Sequence, residues 1–231
     1  MVSAKTSLKF RKAHRYLGLF LGIQFLFWTI SGLYFSWTNL DEIHGDQFKK
    51  NKVQKEYKNL ISPSDLDYKD GIKTISLRDF NNVPYYWINS ELLVNAINGS
   101  IKDSITKEEA ISISNENILD QYKISLVEKI YEVGNHHEYR GRPLPAFVIS
   151  YEGTENLKSY VSALDGQFQT VRHRDWRWFD FLWMTHTMDY EGRDDFNNTV
   201  LRIFSLLGLI TVMSGFSLWF VSSPTVRKFL N

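Results

Sequence analysis

The chain has 231 residues, with 27 Lys and Arg against 26 Asp and Glu, a formal charge of +1, and no cysteine. Balanced charge leaves no electrostatic footprint for nucleic acid, and the lack of cysteine excludes disulfides, thiol catalysis and covalent c-type haem attachment. These figures would suit an ordinary soluble domain, but the apolar residues gather toward the two ends.

Residues 1–15 form a basic tail carrying Lys5, Lys9, Arg11, Lys12 and Arg15. From Tyr16 to Trp37 there is no charged residue and no histidine, which meets the need for about 20 apolar residues to cross a hydrocarbon layer roughly 30 Å thick. The first transmembrane helix is therefore predicted over 16–38. The bulky Leu33-Tyr34-Phe35-Ser36-Trp37 does not suit signal cleavage, so the helix reads as an uncleaved anchor. His14, Gly18, Gly22, Phe25, Thr29, Gly32 and Ser36 recur at helical spacing. That mostly small face predicts a helix-packing seam.

Residues 39–171 carry most of the acidic residues and alternate strand-like runs with turn signals, which predicts an α+β domain of antiparallel hairpins and a helix. An internal duplication organises it, with repeats at about 72–102 and 103–171. Pro84-Tyr85-Tyr86-Trp87-Ile88-Asn89 leads to a strand closing on Asn98-Gly99, and Pro145-Ala146-Phe147-Val148-Ile149-Ser150 leads to one closing on Asp165-Gly166. Glycine supplies the positive φ of a tight turn, so the chain should reverse at Gly99 and Gly166. Thr106 or Ser104 should cap a helix whose first turn holds Glu108 and Glu109 and which runs to about Gln121. His136 and His137 beside Glu138 could bind a metal, although a solvated loop has the same composition. His173 reads as a surface residue. The chain contains neither an HExxH zinc motif nor a GxSxG elbow.

Residues 172–199 read as an interfacial aromatic amphipathic helix and loop, with Trp176, Phe179, Trp183 and His186 on one face. The second span is predicted over 200–222 and a tail with Arg227 and Lys228 over 223–231. Basic flanks stay inside, so both termini are expected in the cytoplasm and the central domain outside it.

The chain resembles a known family at several points. A threonine-capped helix with Glu108-Glu109-Ala110, a strand near Phe147 to Tyr151, and Tyr160-Val161-Ser162-Ala163-Leu164-Asp165-Gly166-Gln167 look like a PepSY domain. Arg11-Lys12-Ala13-His14-Arg15-Tyr16-Leu17-Gly18 entering a span with Ser31-Gly32-Leu33-Tyr34 is similar to the PepSY-associated transmembrane proteins, as is Phe179-Asp180-Phe181-Leu182 with His186 ahead of a span with Ser214-Gly215. Members include bacterial inner-membrane haem-containing reductases of ferric siderophores and modules proposed to regulate peptidases; larger members carry four spans, and this chain has two.

The resemblance implies haem b held by His14 and His186, with Asp180 or Asp189 as partners of the second ring nitrogen of His186. Arg202 is the best placed of Arg172, Arg174, Arg177, Arg193 and Arg202 to meet a haem propionate. The two histidines lie near opposite membrane faces and cannot share one iron. Two sites then need second axial ligands, which a symmetric homodimer would supply, or His44 in the case of His186. The expected function is transmembrane ferric reduction in the bacterial inner membrane, fed by a quinol or a redox partner because the short tails hold no nicotinamide or flavin fingerprint. The alternative is a non-enzymatic scaffold that binds a peptide, a protease or a transporter subunit at its hairpin edges.

Overall fold

The computed structural model describes residues 4–51, 55–66, 68 and 71–223. The C-terminal tail with Arg227 and Lys228 lies outside the described residues. The chain divides into two units, Met1–Thr38 with Phe179–Asn231, and Asn39–Trp178.

The first unit is helical. α1 spans Ala4–Trp37 and α5 spans Thr199–Ser222. Within them, Arg11–Trp37 and Thr199–Phe220 are long and apolar enough to cross a membrane. At 1.5 Å per residue α1 is roughly 51 Å long, so it begins well inside the basic stretch before the span. Asn198 starts α5, its side chain accepting the Leu201 N–H at 2.8 Å. The two helices meet through Phe20 and Phe204, whose ring centres are 5.6 Å apart, and through Phe25, whose ring comes within 3.1 Å of where a Cβ on Gly208 would stand. The seam is thus a large ring on α1 set against a glycine on α5. The predicted face meets α5 through its Phe25 and His14 but not through its glycines: a Cβ on Gly18, Gly22 or Gly32 would meet nothing within 4 Å. Spacing identified the packing face, and the ring on it, not its small residues, fills the groove.

The second unit opens with a short helix α2 (Leu40–Ile43). It then holds two four-stranded antiparallel meanders, β1 to β4 (Ile75–Phe80, Val83–Ile88, Leu92–Asn95, Ile101–Lys102) and β5 to β8 (Ile124–Ile130, Ala146–Tyr151, Lys158–Ser162, Phe168–Arg172), with α3 (Lys107–Asn117) between them in sequence. Alternation accounts for β2, whose Pro84, Tyr86 and Ile88 point inward. β6 is buried almost throughout because both its faces are covered. Phe147, Ile149 and Tyr151 join the main core, whereas Ala146 and Val148 pack with Tyr139 and Tyr160. The main core also takes Ala110 and Ile113 from α3 and Phe80 and Leu93 from the first sheet. The buried hydroxyls of Ser114, Tyr151 and Ser159 satisfy one another.

The two sheets repeat the same backbone bonds. The Ala96 N–H donates to Pro84 and the Ala163 N–H to Pro145, both at 2.9 Å, while the Gly99 and Gly166 N–H groups close their turns onto Asn95 and Ser162 at 2.9 and 3.0 Å. Both glycines have positive φ, +75° and +67°. The correspondence reaches further back than the hairpins. The Ile61 N–H donates to Ala96 and the Ile105 N–H to Ala163, both at 2.8 Å, and each isoleucine precedes a capping hydroxyl, Ser62 or Thr106. In the first half the capped element is a single 3-10 turn, Pro63–Asp65, where the second half has α3.

Of the two expected caps it is Thr106 that starts the helix, and it forms a capping box with Glu109. The helix stops at Asn117, four residues short of the expected Gln121. Ile118 turns extended, is buried, and bridges to Lys49, while the Leu119 N–H donates to Phe48 at 3.0 Å. A tertiary partner outside the helix sets its end.

Candidate functional site

Helix α4 (Arg174–Thr187) carries the aromatic run. In the helical unit, Phe179, Trp183 and His186 gather around Phe35 of α1, at ring distances of 4.9, 5.7 and 5.6 Å. Two further bonds fix this end of α4. The Trp28 indole N–H donates to the His186 carbonyl at 2.8 Å, and the Gln24 amide donates to the Thr185 carbonyl at 3.0 Å. A polar side chain in an apolar span pays for its position by such bonds.

The His186 Nδ1 lies 2.7 Å from Ser31 Oγ on α1, and the His14 Nδ1 lies 2.7 Å from Ser214 Oγ on α5. Each serine has one proton and spends it on its own helix. Ser31 donates to the Phe27 carbonyl at 2.6 Å and Ser214 to the Thr211 carbonyl at 2.7 Å. With that proton on the helix carbonyl the hydroxyl oxygen accepts from the ring, and in the neutral tautomer that carries hydrogen on Nδ1 the Nε2 keeps its lone pair. Among the described residues neither Nε2 has a hydrogen-bond partner. This is the arrangement of a metal-ligating histidine, one ring nitrogen oriented by a fixed acceptor and the other open. Glycine assists at His14, since a Cβ on Gly215 would stand 3.2 Å from its Cε1.

Seventeen residues of one continuous helix separate His14 from Ser31, the partner of His186. At 1.5 Å each that is roughly 25 Å, so the two open nitrogens belong to two sites.

Sequence reasoning selected both histidines but missed the serines that orient them. The signal was present in the two Ser-Gly pairs, Ser31-Gly32 and Ser214-Gly215, one in each span. The carboxylates named for the role do other work. Asp180 pairs with Arg193, and Asp189 accepts the N–H groups of Glu191, Gly192 and Asp195 at 3.2, 3.0 and 2.8 Å, organising the turn after α4.

The remaining residues divide clearly. Arg202 is exposed in the first turn of α5 and makes no ion pair among the described residues. His44 ends α2 and lines a polar cleft of about 690 Å³ in the central domain with Arg142, Arg172 and Trp176. Arg172 and Arg177 are spent within that domain. Arg172 is buried, lies 3.9 Å over the Trp176 ring, and donates to the Glu138 and Val171 carbonyls, both at 2.9 Å. Arg177 holds the Glu138 carboxylate at 2.6 and 3.1 Å. The Glu138 carboxylate beside His136 and His137 is thus engaged by Arg177. His173, expected at the surface, is 1% exposed and packs on Phe48 at a ring distance of 5.0 Å.

Glu138 also accepts the Tyr160 hydroxyl at 2.7 Å, and its side chain is 12% exposed. Burial alone would raise its pKa, but the Arg177 fork, the Tyr160 hydroxyl and Lys158 outweigh burial and hold the carboxyl below its ordinary value. A depressed carboxylate contributes stability that is complete above the unfolded pKa of about 4.3 and is lost as pH falls through the lower folded value. Glu138→Gln should cost about 2 kcal/mol at pH 7 and flatten the acid side of the stability curve. Melting of the full chain in detergent between neutral pH and pH 3 checks this, and parallel curves for the two proteins would count against it.

The family model described as the PepSY-associated TM region matches residues 2–222. No curated protein and no solved structure matches the chain.

Proposed function

The chain belongs to the PepSY-associated TM family and is a membrane protein with two spans, and from that premise we propose that it is a b-type haem protein carrying electrons across the bacterial cytoplasmic membrane to an acceptor such as a ferric siderophore. His14 and His186 would hold two separate haem irons, each through Nε2. The observation that carries this reading is the pair of histidines whose Nδ1–H groups are bound to Ser214 and Ser31, each at 2.7 Å, because that bond selects the tautomer with an open Nε2.

Bound haem supplies one-electron chemistry, with its potential tuned by axial ligand and environment. The chain's own residues orient the ring and exclude water. Ser214 and Ser31 hold the two imidazoles, Phe35 packs on His186 with Phe179 and Trp183 around it, and Arg202 is the cation for a propionate. A second copy of the chain would complete each site, bringing a second His14 to one and a second His186 to the other across a two-fold axis. The basic stretch before α1 sets the termini inside and the central domain outside. A quinol or a partner protein is the donor.

The test is a visible spectrum of the full chain from haem-replete cells in mild detergent, oxidised and dithionite-reduced, with haem and molecular mass measured together. The expected result is a Soret band with reducible α and β bands, one haem per chain and a dimer. A colourless protein overturns the reading in favour of the scaffold; a monomer with two haems overturns the shared ligands.

A further inference from the structure

His173 lies between β8 and α4, buried against Phe48. Its Nε2 is 3.1 Å from the Ile43 carbonyl oxygen, which can only accept, so Nε2 carries the hydrogen. In the neutral ring Nδ1 then holds a lone pair, and this atom is buried without a hydrogen-bond partner. Buried polar atoms are almost always paired, so an orphan with an open lone pair calls for a ligand.

Two carboxylates lie beside this imidazole. Glu155, in the turn between β6 and β7, and Asp175, in the first turn of α4, each bring an oxygen so that the three ligand atoms lie within 4.8 Å of one another. The backbone preforms the group. The Arg174 N–H donates to the Glu155 carbonyl at 2.8 Å and Arg177 Nη1 donates to the Asn156 carbonyl at 2.9 Å, tying the turn to the start of the helix.

We propose that Glu155, His173 and Asp175 form a binding site for a divalent first-row transition cation, with Zn²⁺ as the working probe. The imidazole already has the outer partner such ligands use, a backbone carbonyl on its other nitrogen. One nitrogen and two carboxylate oxygens suit this class better than Mg²⁺ or Ca²⁺, which take all-oxygen shells. Ligand bonds of about 2.0–2.2 Å require the donors to draw in to roughly 4 Å or less, a movement open to the two partly exposed carboxylates. At present the Arg174 guanidinium serves them, with Nε 3.2 Å from Asp175 and Nη2 3.8 Å from Glu155. Arg174 is half exposed and can swing away, so it competes with the cation for the same oxygens.

The experiment is equilibrium dialysis of the full chain in detergent against Zn²⁺ after chelator treatment, with bound zinc counted by elemental analysis and folding checked by circular dichroism. One Zn²⁺ per chain is expected, with affinity falling about tenfold or more in Glu155→Gln and in Asp175→Asn and rising in Arg174→Ala. The carboxylate variants carry the test because they leave the buried His173 in place. His136→Ala with His137→Ala should bind as the parent does. Absence of stoichiometric zinc, binding indifferent to both carboxylate variants, or loss in the His136 and His137 variant would overturn the site.

Discussion

His14→Ala should remove half of the haem, from about one per chain to about one half, and His186→Ala should remove the other half. The variant lacking both histidines should be colourless while keeping its fold. The effect is large because an axial imidazole is a bond to the iron rather than a contact near it, and because roughly 25 Å of helix separates the two positions, too far for one to rescue the other. Each single variant should therefore keep a complete, reducible site with its own midpoint potential. Ser214→Ala gives a finer readout. It leaves the His14 ring but removes the acceptor 2.7 Å from Nδ1, so haem should remain with affinity lower by about 10–100-fold and a raised potential, since a ligand without its outer hydrogen bond is less basic. If these bonds are only polar links between helices, His14→Ala will retain full haem and change stability alone. Spectral titration of the four proteins decides between these outcomes.

Gly166→Ala should destabilise the central domain by roughly 2–5 kcal/mol, the sum of a left-handed backbone cost of about 1–2 kcal/mol and an overpacking cost of about 1–3 kcal/mol. Gly166 has φ +67°, and a Cβ there would stand 2.9 Å from Phe80 Cδ1 and 3.2 Å from Ile113 Cδ1, both in the main core. The corresponding Gly99 is an internal control. Its φ is +75°, but its added Cβ would meet Ile61 Cδ1 at 3.6 Å, an ordinary contact. Gly99→Ala should therefore cost only the backbone part, about 1–2 kcal/mol. Denaturant unfolding of both variants measures the difference directly. Equal losses would mean that the closeness of Phe80 to Gly166 has no energetic weight.

The parts of this protein legible in the sequence rest on one-dimensional signals. Two uncharged apolar stretches indicate two membrane-crossing helices, because a bilayer asks only for length and apolarity. Thr106 with Glu109 marks a helix start, because both halves of a capping box lie within four residues. Gly99 and Gly166 mark reversals, because the positive φ is a local demand. His14 and His186 stood out as the histidines beside the spans.

Tertiary structure decided whatever needed a partner distant in sequence. α3 stops at Asn117 because Phe48 and Lys49 claim the residues that follow it. Phe25, on the predicted face, packs against Gly208, whereas a Cβ on Gly18 or Gly22 of the same face would meet nothing within 4 Å, because complementarity between a ring and a gap belongs to two helices jointly. Ser214 lies 200 residues from His14 and Ser31 lies 155 from His186, so no local pattern couples them. The same holds for His173. Its neighbours in sequence are charged and point to a surface, yet Ile43 and Phe48, some 130 residues earlier, bury it and leave one ring nitrogen without a hydrogen-bond partner, on a ring beside two carboxylates. Sequence by itself determined which elements form and which side chains are rare enough to matter; the fold determined which atoms of those side chains are free to act, because hydrogen-bond pairing is settled only where the chain returns to meet itself.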